Sequence, residues 1–544
     1  MVAARDAPSA LTYVSMSSRL RSVVAASMVV MSGVVLSRML GLIRNVVISH
    51  QYGATREYES FLAAISIPDT VFQVLAGGAV SAAFIPVFTA YLAHGEDPRA
   101  WRLTSALMNL AIIVIGFAAL VLGVLAPHIT AILVPGWDAA DQARVSTLTR
   151  MMLASPVIFT ISTLATSALN GTRRFALAAA APLMYNISLI FGAVALRGLG
   201  VEGLAISAVV GALLHFAIQV PGLVLIGFRY TPTLGLDLAG TREVARLMVP
   251  RVLGLGVSQF NQLVNVALAS FLLPGSIAYL NYAWLVLMVP LGVFAMGLST
   301  AIFPTFAEQH AAHRTEEERQ TFLFGIRLIL YATIPAAIGL IVLGRPIIGV
   351  LLERGAFDAQ AATMTAFALS WFAIGLPGHS VIEIVDRVFY AERDTRTPVT
   401  VAALAVVLNI GLSLILMRTP LSFGGLALAN SIAALSEATT LTILLQRRMD
   451  WLHVRVFLGF GWRILLAAIG MGLVAEAAHT LLGSIASPAG APAEAALVGV
   501  VVVIAAVTYI ALSLALGIDD TRRLASLLPL RRNWDLNQGG HAPR

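Results

Sequence analysis

Residues 37–45 read Ser-Arg-Met-Leu-Gly-Leu-Ile-Arg-Asn, inside an apolar run from about Val23 to Ile48. Arg38 and Arg44 are permanent cations in surroundings that look like oil. A charge at the centre of a bilayer costs at least about 2.5 kcal/mol, so such groups turn toward a bundle interior or a wet cavity. On a helix, Ser37, Gly41, Arg44 and Asn45 fall at i, i+4, i+7 and i+8 and share one face, with Arg38 flanking it. Guanidinium groups are shaped for bidentate contact with phosphate oxygens. The chemistry on offer is therefore anion binding. The competing reading is structural: the arginines pair with acids on neighbouring helices, or snorkel.

Other intramembrane polar groups are weaker candidates. Glu59 stands near the outer end of the second apolar run, within possible reach of Arg44 or of water. Asp69 follows Pro68 and marks a kink. Glu383 and Arg387 have the i, i+4 spacing of a local ion pair, with Asp386 beside them. Arg251 follows Pro250 and is a second candidate for the cavity. His215, His379, Glu437 and Glu476 are isolated and read as structural. No Walker A loop, HExxH or GxSxG is present, so neither an enzyme nor a nucleotide-driven pump is indicated.

The elements that position these groups are membrane helices. Of 544 residues, 58% are hydrophobic and 12% charged, and mean hydropathy is +0.86. That charged share is about half of what soluble domains carry. Long continuous apolar runs disfavour a β-barrel, whose strands alternate. There is no cysteine, so disulfides and thiolate metal sites are excluded. The net charge of +7 fits basic loops against an anionic leaflet and does not point to nucleic acid.

Fourteen runs are long enough to span, which predicts an all-α polytopic membrane protein. Assigning loops alternately puts 22 arginines on one side and 6 on the other. Both termini are then cytoplasmic.

The chain also repeats itself. GAVSAAFIPVFTAY (78–91) resembles MGLSTAIFPTFAEQ (296–309), GLAISA (203–208) resembles GLALAN (425–430), and Asn186 matches Asn409. The shifts of 218 to 223 residues define a parallel six-helix repeat. The organisation expected is a cytoplasmic tail (1–21), a six-helix lobe (22–228), a cytoplasmic linker (229–242), a second pseudo-symmetric lobe (243–447), two extra helices (448–517) and a cytoplasmic tail (518–544). Transporters with this plan carry the substrate between the lobes. The candidate set there is Ser37, Arg38, Arg44, Asn45, Glu59 and Arg251.

Several segments resemble the MurJ/MviN flippases of the multidrug/oligosaccharidyl-lipid/polysaccharide exporter superfamily. They are SRMLGLIRN, AFIPVF, VPGW (134–137), LERGAFDAQAATMTAFAL (352–369) and RVFYAERDTRTP (387–398). The resemblance runs from about 22 to 517. It implies a flippase for lipid II, the undecaprenyl-pyrophosphate-linked precursor of peptidoglycan. It also implies alternating access and the bacterial inner membrane, with roles in cell-wall biogenesis and cell shape. The family's first-helix arginines match Arg38 and Arg44, and its second-helix acid matches Glu59.

The chain departs from the family where an arginine pair and a following glutamate usually stand, since it has Phe72, Gln73 and Gly77 there. It also reads Trp284-Leu285 after Tyr282-Ala283, where the family has an Asp-Arg pair. The cavity is accordingly less cationic and more apolar. Two alternatives stay open: a flippase for another polyprenyl-linked polysaccharide, and a non-transporting paralogue that scaffolds precursors. Some relatives bind sodium, and Asn265 and Asn409 are the oxygen donors available for it. The implied partners are membrane lipid, a polyprenyl-pyrophosphate-linked glycan and cell-wall synthases, with no nucleotide. No cofactor is expected. The drive would be sodium, protons or the membrane potential, which is worth about 2.3 kcal/mol per charge per 100 mV.

Overall fold

The structure is a computed structural model that describes residues 31–33, 35–75, 79–449, 454–486 and 490–518. The expected N-terminal tail, the first turns of the first span, Gly77 and residues 519–544 lie outside the described residues. The chain divides into two compact units, Met1–Ala267 and Leu268–Arg544. Among the described residues every regular element is helical.

In the first unit the helices are α1 (Met31–Tyr52), α2 (Arg56–Leu75), α3 (Ala79–Ala93) and α4 (Asp97–Leu133). Next come α5 (Ala139–Met152), α6 (Ala154–Gly171), α7 (Phe175–Ala195), α8 (Val201–Ala217) and α9 (Val220–Leu225). α10 (Ala239–Ala269) runs across the unit boundary. Asp138 caps α5 by accepting from the Asp141 N–H at 2.8 Å. One end of the unit is an aromatic core in which Phe84 stacks on Phe88 at 4.9 Å and Phe88 meets Trp101 at a tilt, 5.3 Å between ring centres.

Small residues set the helix spacing, as expected where lipid removes the hydrophobic drive between helices. A Cβ at Gly192 on α7 would lie 2.5 Å from the Cβ of Ser207 on α8. One at Gly203 would lie 2.6 Å from the Leu196 carbonyl oxygen.

The second unit holds α11 (Ser276–Pro290), a π-helical stretch (Leu291–Met296) and α12 (Gly297–Ala311). α13 (Thr315–Leu352) and α14 (Ala359–Ile374) follow. α14 meets α15 (Leu376–Ala391) at a 44° bend. α16 (Arg396–Leu416), α17 (Phe423–Met449), α18 (Val454–Ala486) and α19 (Ala491–Ala515) complete it. The last two pack on α13 through Tyr331, Ile464, Met471 and Tyr509, and the Tyr509 hydroxyl donates to the Tyr331 carbonyl at 2.8 Å. The internal repeat reappears as local geometry. Gly425 faces the Leu416 carbonyl at 2.6 Å from its would-be Cβ, the same relation as Gly203 to Leu196.

Twelve helices among the described residues are long and apolar enough to cross a membrane, or thirteen with the bent α14–α15 pair counted as one span. The expected fourteen is reached only by adding α10. That helix has the length, 31 residues, but carries Arg242, Glu243, Arg246, Gln259, Asn261, Gln262 and Asn265. The chain is a multi-pass membrane protein.

Candidate anion-binding stripe on the first helix

α1 lies along α7, and contact points advance together on both. Gly33 meets Ala179, Gly41 meets Asn186, and the Tyr52 hydroxyl donates to the Gly200 carbonyl at 2.9 Å just beyond the end of α7. The two helices therefore run parallel. The glycines allow the approach: a Cβ at Gly33 would stand 2.6 Å from the Cβ of Ala179, and one at Gly41 would stand 3.8 Å from Asn186 Oδ1.

That last oxygen organises the site. Asn186 is buried, and its amide nitrogen donates to the Pro182 carbonyl one turn back at 3.1 Å. Its Oδ1 then accepts from Arg44 Nη1 at 3.1 Å. Asn45 Oδ1 accepts from Arg44 Nε and Nη2 at 3.3 and 3.2 Å. The guanidinium is thus held by two neutral amides, and among the described residues it forms no ion pair within 4 Å. Its charge does lie within electrostatic reach of Asp69 on α2 and Tyr185 on α7. Asp69 is exposed. Arg38 is also exposed, and among the described residues it has no ion-pair partner. Ser37 is half-buried on the same helix.

Glu59 has a different setting. It is buried near the start of α2 and accepts from Arg56 Nη1 at 3.2 Å. Arg56 also lies 3.6 Å from Asp141 and stacks 4.4 Å from the Trp137 ring centroid. Glu59 therefore belongs to an ion cluster that ties α2 to α5. Beside it, Glu57 accepts from the Val201 N–H at 3.1 Å, at the N-terminus of α8.

Where the resemblance leads one to expect cations, the first unit has an aromatic row. Phe72 packs 5.2 Å from Phe159, which meets Tyr185 edge-on at 5.2 Å, while Gln73 is exposed. In the second unit Trp284 packs edge-on against Phe372 and His379, both at 5.4 Å. Arg387 and Glu383 form the expected local pair at 3.6 Å, and Arg387 also lies 5.7 Å from the Phe303 ring. Asn265 donates to the Asn261 carbonyl at 3.0 Å, and Asn409 is buried on α16. The side chain of Arg251 lies outside the described residues.

Three groups of the site were not singled out for it by the sequence: Asp69, which read as a kink marker, Asn186, which read as a repeat landmark, and Tyr185. The available signal was a lone asparagine in the apolar run Phe175–Ala195. A buried amide needs a partner, and Arg44 supplies one.

The chain matches the lipid II flippase MurJ family over residues 48–516. The probable lipid II flippase MurJ of Haemophilus influenzae is 32% identical over 455 residues, covering 80% of this chain and 89% of the relative. The lipid II flippase MurJ of Burkholderia cenocepacia is 30% identical over 428 residues, covering 76% and 82%. Among solved structures, a lipid II flippase MurJ in an inward closed conformation superposes with a TM-score of 0.76 at 23% identity, covering 90% of this chain and 99% of that one. An inward-facing multidrug resistance MATE transporter of the MOP superfamily has the related fold, with a TM-score of 0.65 at 12% identity over 76% and 94%. With this breadth of match along nearly its whole length, the chain belongs to the lipid II flippase MurJ family.

Proposed function

We propose that this protein moves lipid II, or a closely similar polyprenyl-pyrophosphate-linked precursor, across the bacterial inner membrane by alternating access. It carries out no covalent chemistry. The observation that carries this reading is the state of Arg44. It is an intramembrane guanidinium oriented by amide oxygens and, among the described residues, not neutralised by a paired carboxylate, so it offers a positive charge to an incoming pyrophosphate. Arg38, six residues earlier on the same helix, adds a second cation for the headgroup. The polyprenyl tail stays in the bilayer while the headgroup crosses. Both termini face the cytoplasm, as the arginine distribution suggests. The membrane potential assists outward movement of the anionic headgroup, with sodium or proton coupling as further drives. Cell-wall synthases receive the product.

The aromatic row Phe72–Phe159–Tyr185 favours one variation on this reading, a headgroup with fewer charges or a different glycan. The test is a lipid II accessibility assay in cells depleted of their own flippase and supplied only with this protein. Surface-exposed lipid II should be restored by the wild type and lost with Arg44→Ala at equal membrane abundance. Restoration by Arg44→Ala and Arg38→Ala alike would overturn the site. Failure of the wild type, with rescue of a capsule-precursor defect, would move the substrate to another polyprenyl-linked glycan.

A further inference from the structure

Another intramembrane arginine, Arg150, lies near the end of α5 and away from the stripe on α1. Its Nε donates to the carbonyl oxygen of Gly123 on α4 at 2.8 Å. That carbonyl is free for a definite reason. In an α-helix it would accept from the residue four positions later, which is Pro127, and proline has no N–H. Arg150 replaces the lost bond. This uses one of five guanidinium N–H donors. Arg150 is exposed, and among the described residues its other donors have no hydrogen-bond or ion-pair partner.

These donors lie at an open recess of about 680 Å³ lined by Gly116, Ala119, Gly123, Leu153 and Ala154, with no carboxylate in the lining. Around it α4 presents Phe117, Leu120 and Val124, each about two-thirds exposed. Such a surface on a spanning helix faces lipid.

The depth can be worked along α4. Asn109 donates to the Thr233 carbonyl at 2.8 Å, and Arg102 pairs with Asp237 at 2.9 Å, so this end of the helix is packed under a polar connection. Gly123 lies fourteen residues beyond Asn109, or about 21 Å at 1.5 Å per residue. The hydrocarbon core is about 30 Å thick. Arg150 therefore sits in the leaflet on the side of the Val134–Asp138 turn, about 9 Å inside its boundary, a depth at which local thinning of the bilayer brings lipid phosphate to a fixed charge.

We propose that the recess between α4 and α5–α6 is a binding site for a resident anionic phospholipid. Arg150 holds the phosphodiester and the glycine-floored recess takes the upper part of an acyl chain. A guanidinium that, among the described residues, has several free donors and no acid beside it selects a net negative headgroup over a zwitterionic one. The site is on helices other than the one carrying Arg44, and does not depend on which precursor the protein carries.

The experiment is native mass spectrometry of the full chain in detergent, with dioleoyl phosphatidylglycerol and dioleoyl phosphatidylcholine added at equal concentration. The wild type should retain phosphatidylglycerol about fivefold more than phosphatidylcholine, the factor that one basic residue near the membrane surface contributes. Arg150→Gln should abolish the preference, and Arg150→Lys should keep part of it. Gly116→Leu should lower retention of the lipid by filling the recess. A Cβ at Gly116 meets nothing within 4 Å, so this variant keeps the fold and decides the matter even if Arg150→Gln fails to insert. Equal retention of the two lipids by the wild type would overturn the site. So would unchanged phosphatidylglycerol binding in Gly116→Leu, or displacement of the lipid by glycerol phosphate, which has the anion but no chains.

Discussion

Asn186→Leu tests whether Arg44 works by being held in place. Leucine matches asparagine in shape, so α7 keeps its packing, but the bond from Arg44 Nη1 is lost. Hydrogen bonds to charged groups contribute about 1.5–3 kcal/mol. The guanidinium is half-buried and keeps both bonds to Asn45, so the lower figure applies. A loss of about 1.4 kcal/mol is tenfold in an equilibrium. Asn186→Leu should therefore slow the appearance of surface-exposed lipid II about tenfold at equal protein abundance, less than Arg44→Ala. Asn186→Asp separates position from charge. It preserves the contact but pairs the guanidinium with a carboxylate, cancelling the charge offered to an anion. If availability of charge is what matters, Asn186→Asp should be worse than Asn186→Leu. Wild-type activity in Asn186→Asp, or activity within twofold of wild type in Asn186→Leu, would refute the reasoning.

Four more outcomes follow from contacts elsewhere. Gly41→Ala should transport normally, since its Cβ would stand 3.8 Å from Asn186 Oδ1, whereas Gly41→Phe should lose transport by forcing Asn186 away from Arg44, as read in the same accessibility assay. Arg56→Ala should lower thermal stability by up to about 3 kcal/mol because it removes the cation paired with the buried Glu59 carboxylate, and adding Glu59→Gln should recover much of that in a detergent melting assay. Gly203→Ala and Gly425→Ala should each sharply reduce folded protein on size-exclusion chromatography, because both place a Cβ 2.6 Å from a backbone carbonyl oxygen. Asp394 accepts from the Arg396 and Thr397 N–H groups and the Thr397 hydroxyl, and lies 2.8 Å from Arg448. The bonds from Thr397 first, then Arg448, depress its carboxyl to about 2, so its contribution is full above the unfolded value near 4 and is lost as pH falls from there through 2. Asp394→Asn should cost about 1 kcal/mol at pH 7, as loss of a helix-capping group does, and progressively less as pH falls toward 2, by melting temperature across that range.

Much of the architecture was legible before any coordinates. Hydropathy alone gives a helical membrane bundle, because only helices and closed barrels satisfy backbone groups in lipid. The repeat was legible because Gly203 and Gly425 serve one steric need, admitting a carbonyl where no Cβ fits. The count of spans was less legible. α10 is long enough but charged in its first half and dotted with amides in its second, and α14–α15 is one apolar run broken by a 44° bend.

The site divides in the same way. That Ser37, Arg38, Gly41, Arg44 and Asn45 form a polar stripe follows from helical periodicity, a property of one element. That Arg44 meets Asn186, 142 positions away, and that Asp69 shares its electrostatic environment, follows from how α1, α2 and α7 pack. Glu59 shows the limit of spacing arguments: its bonded partner is Arg56 on the same helix, and Asp141 from α5 completes the cluster. Composition and period determined which residues could be charged and which way each helix face turns, because those are local consequences of bond geometry and solvation. Which polar groups hold each other, and which cation stays available, was decided only by the tertiary structure, since hydrogen bonds act over about 3 Å and that proximity is set by the packing of segments distant in the chain.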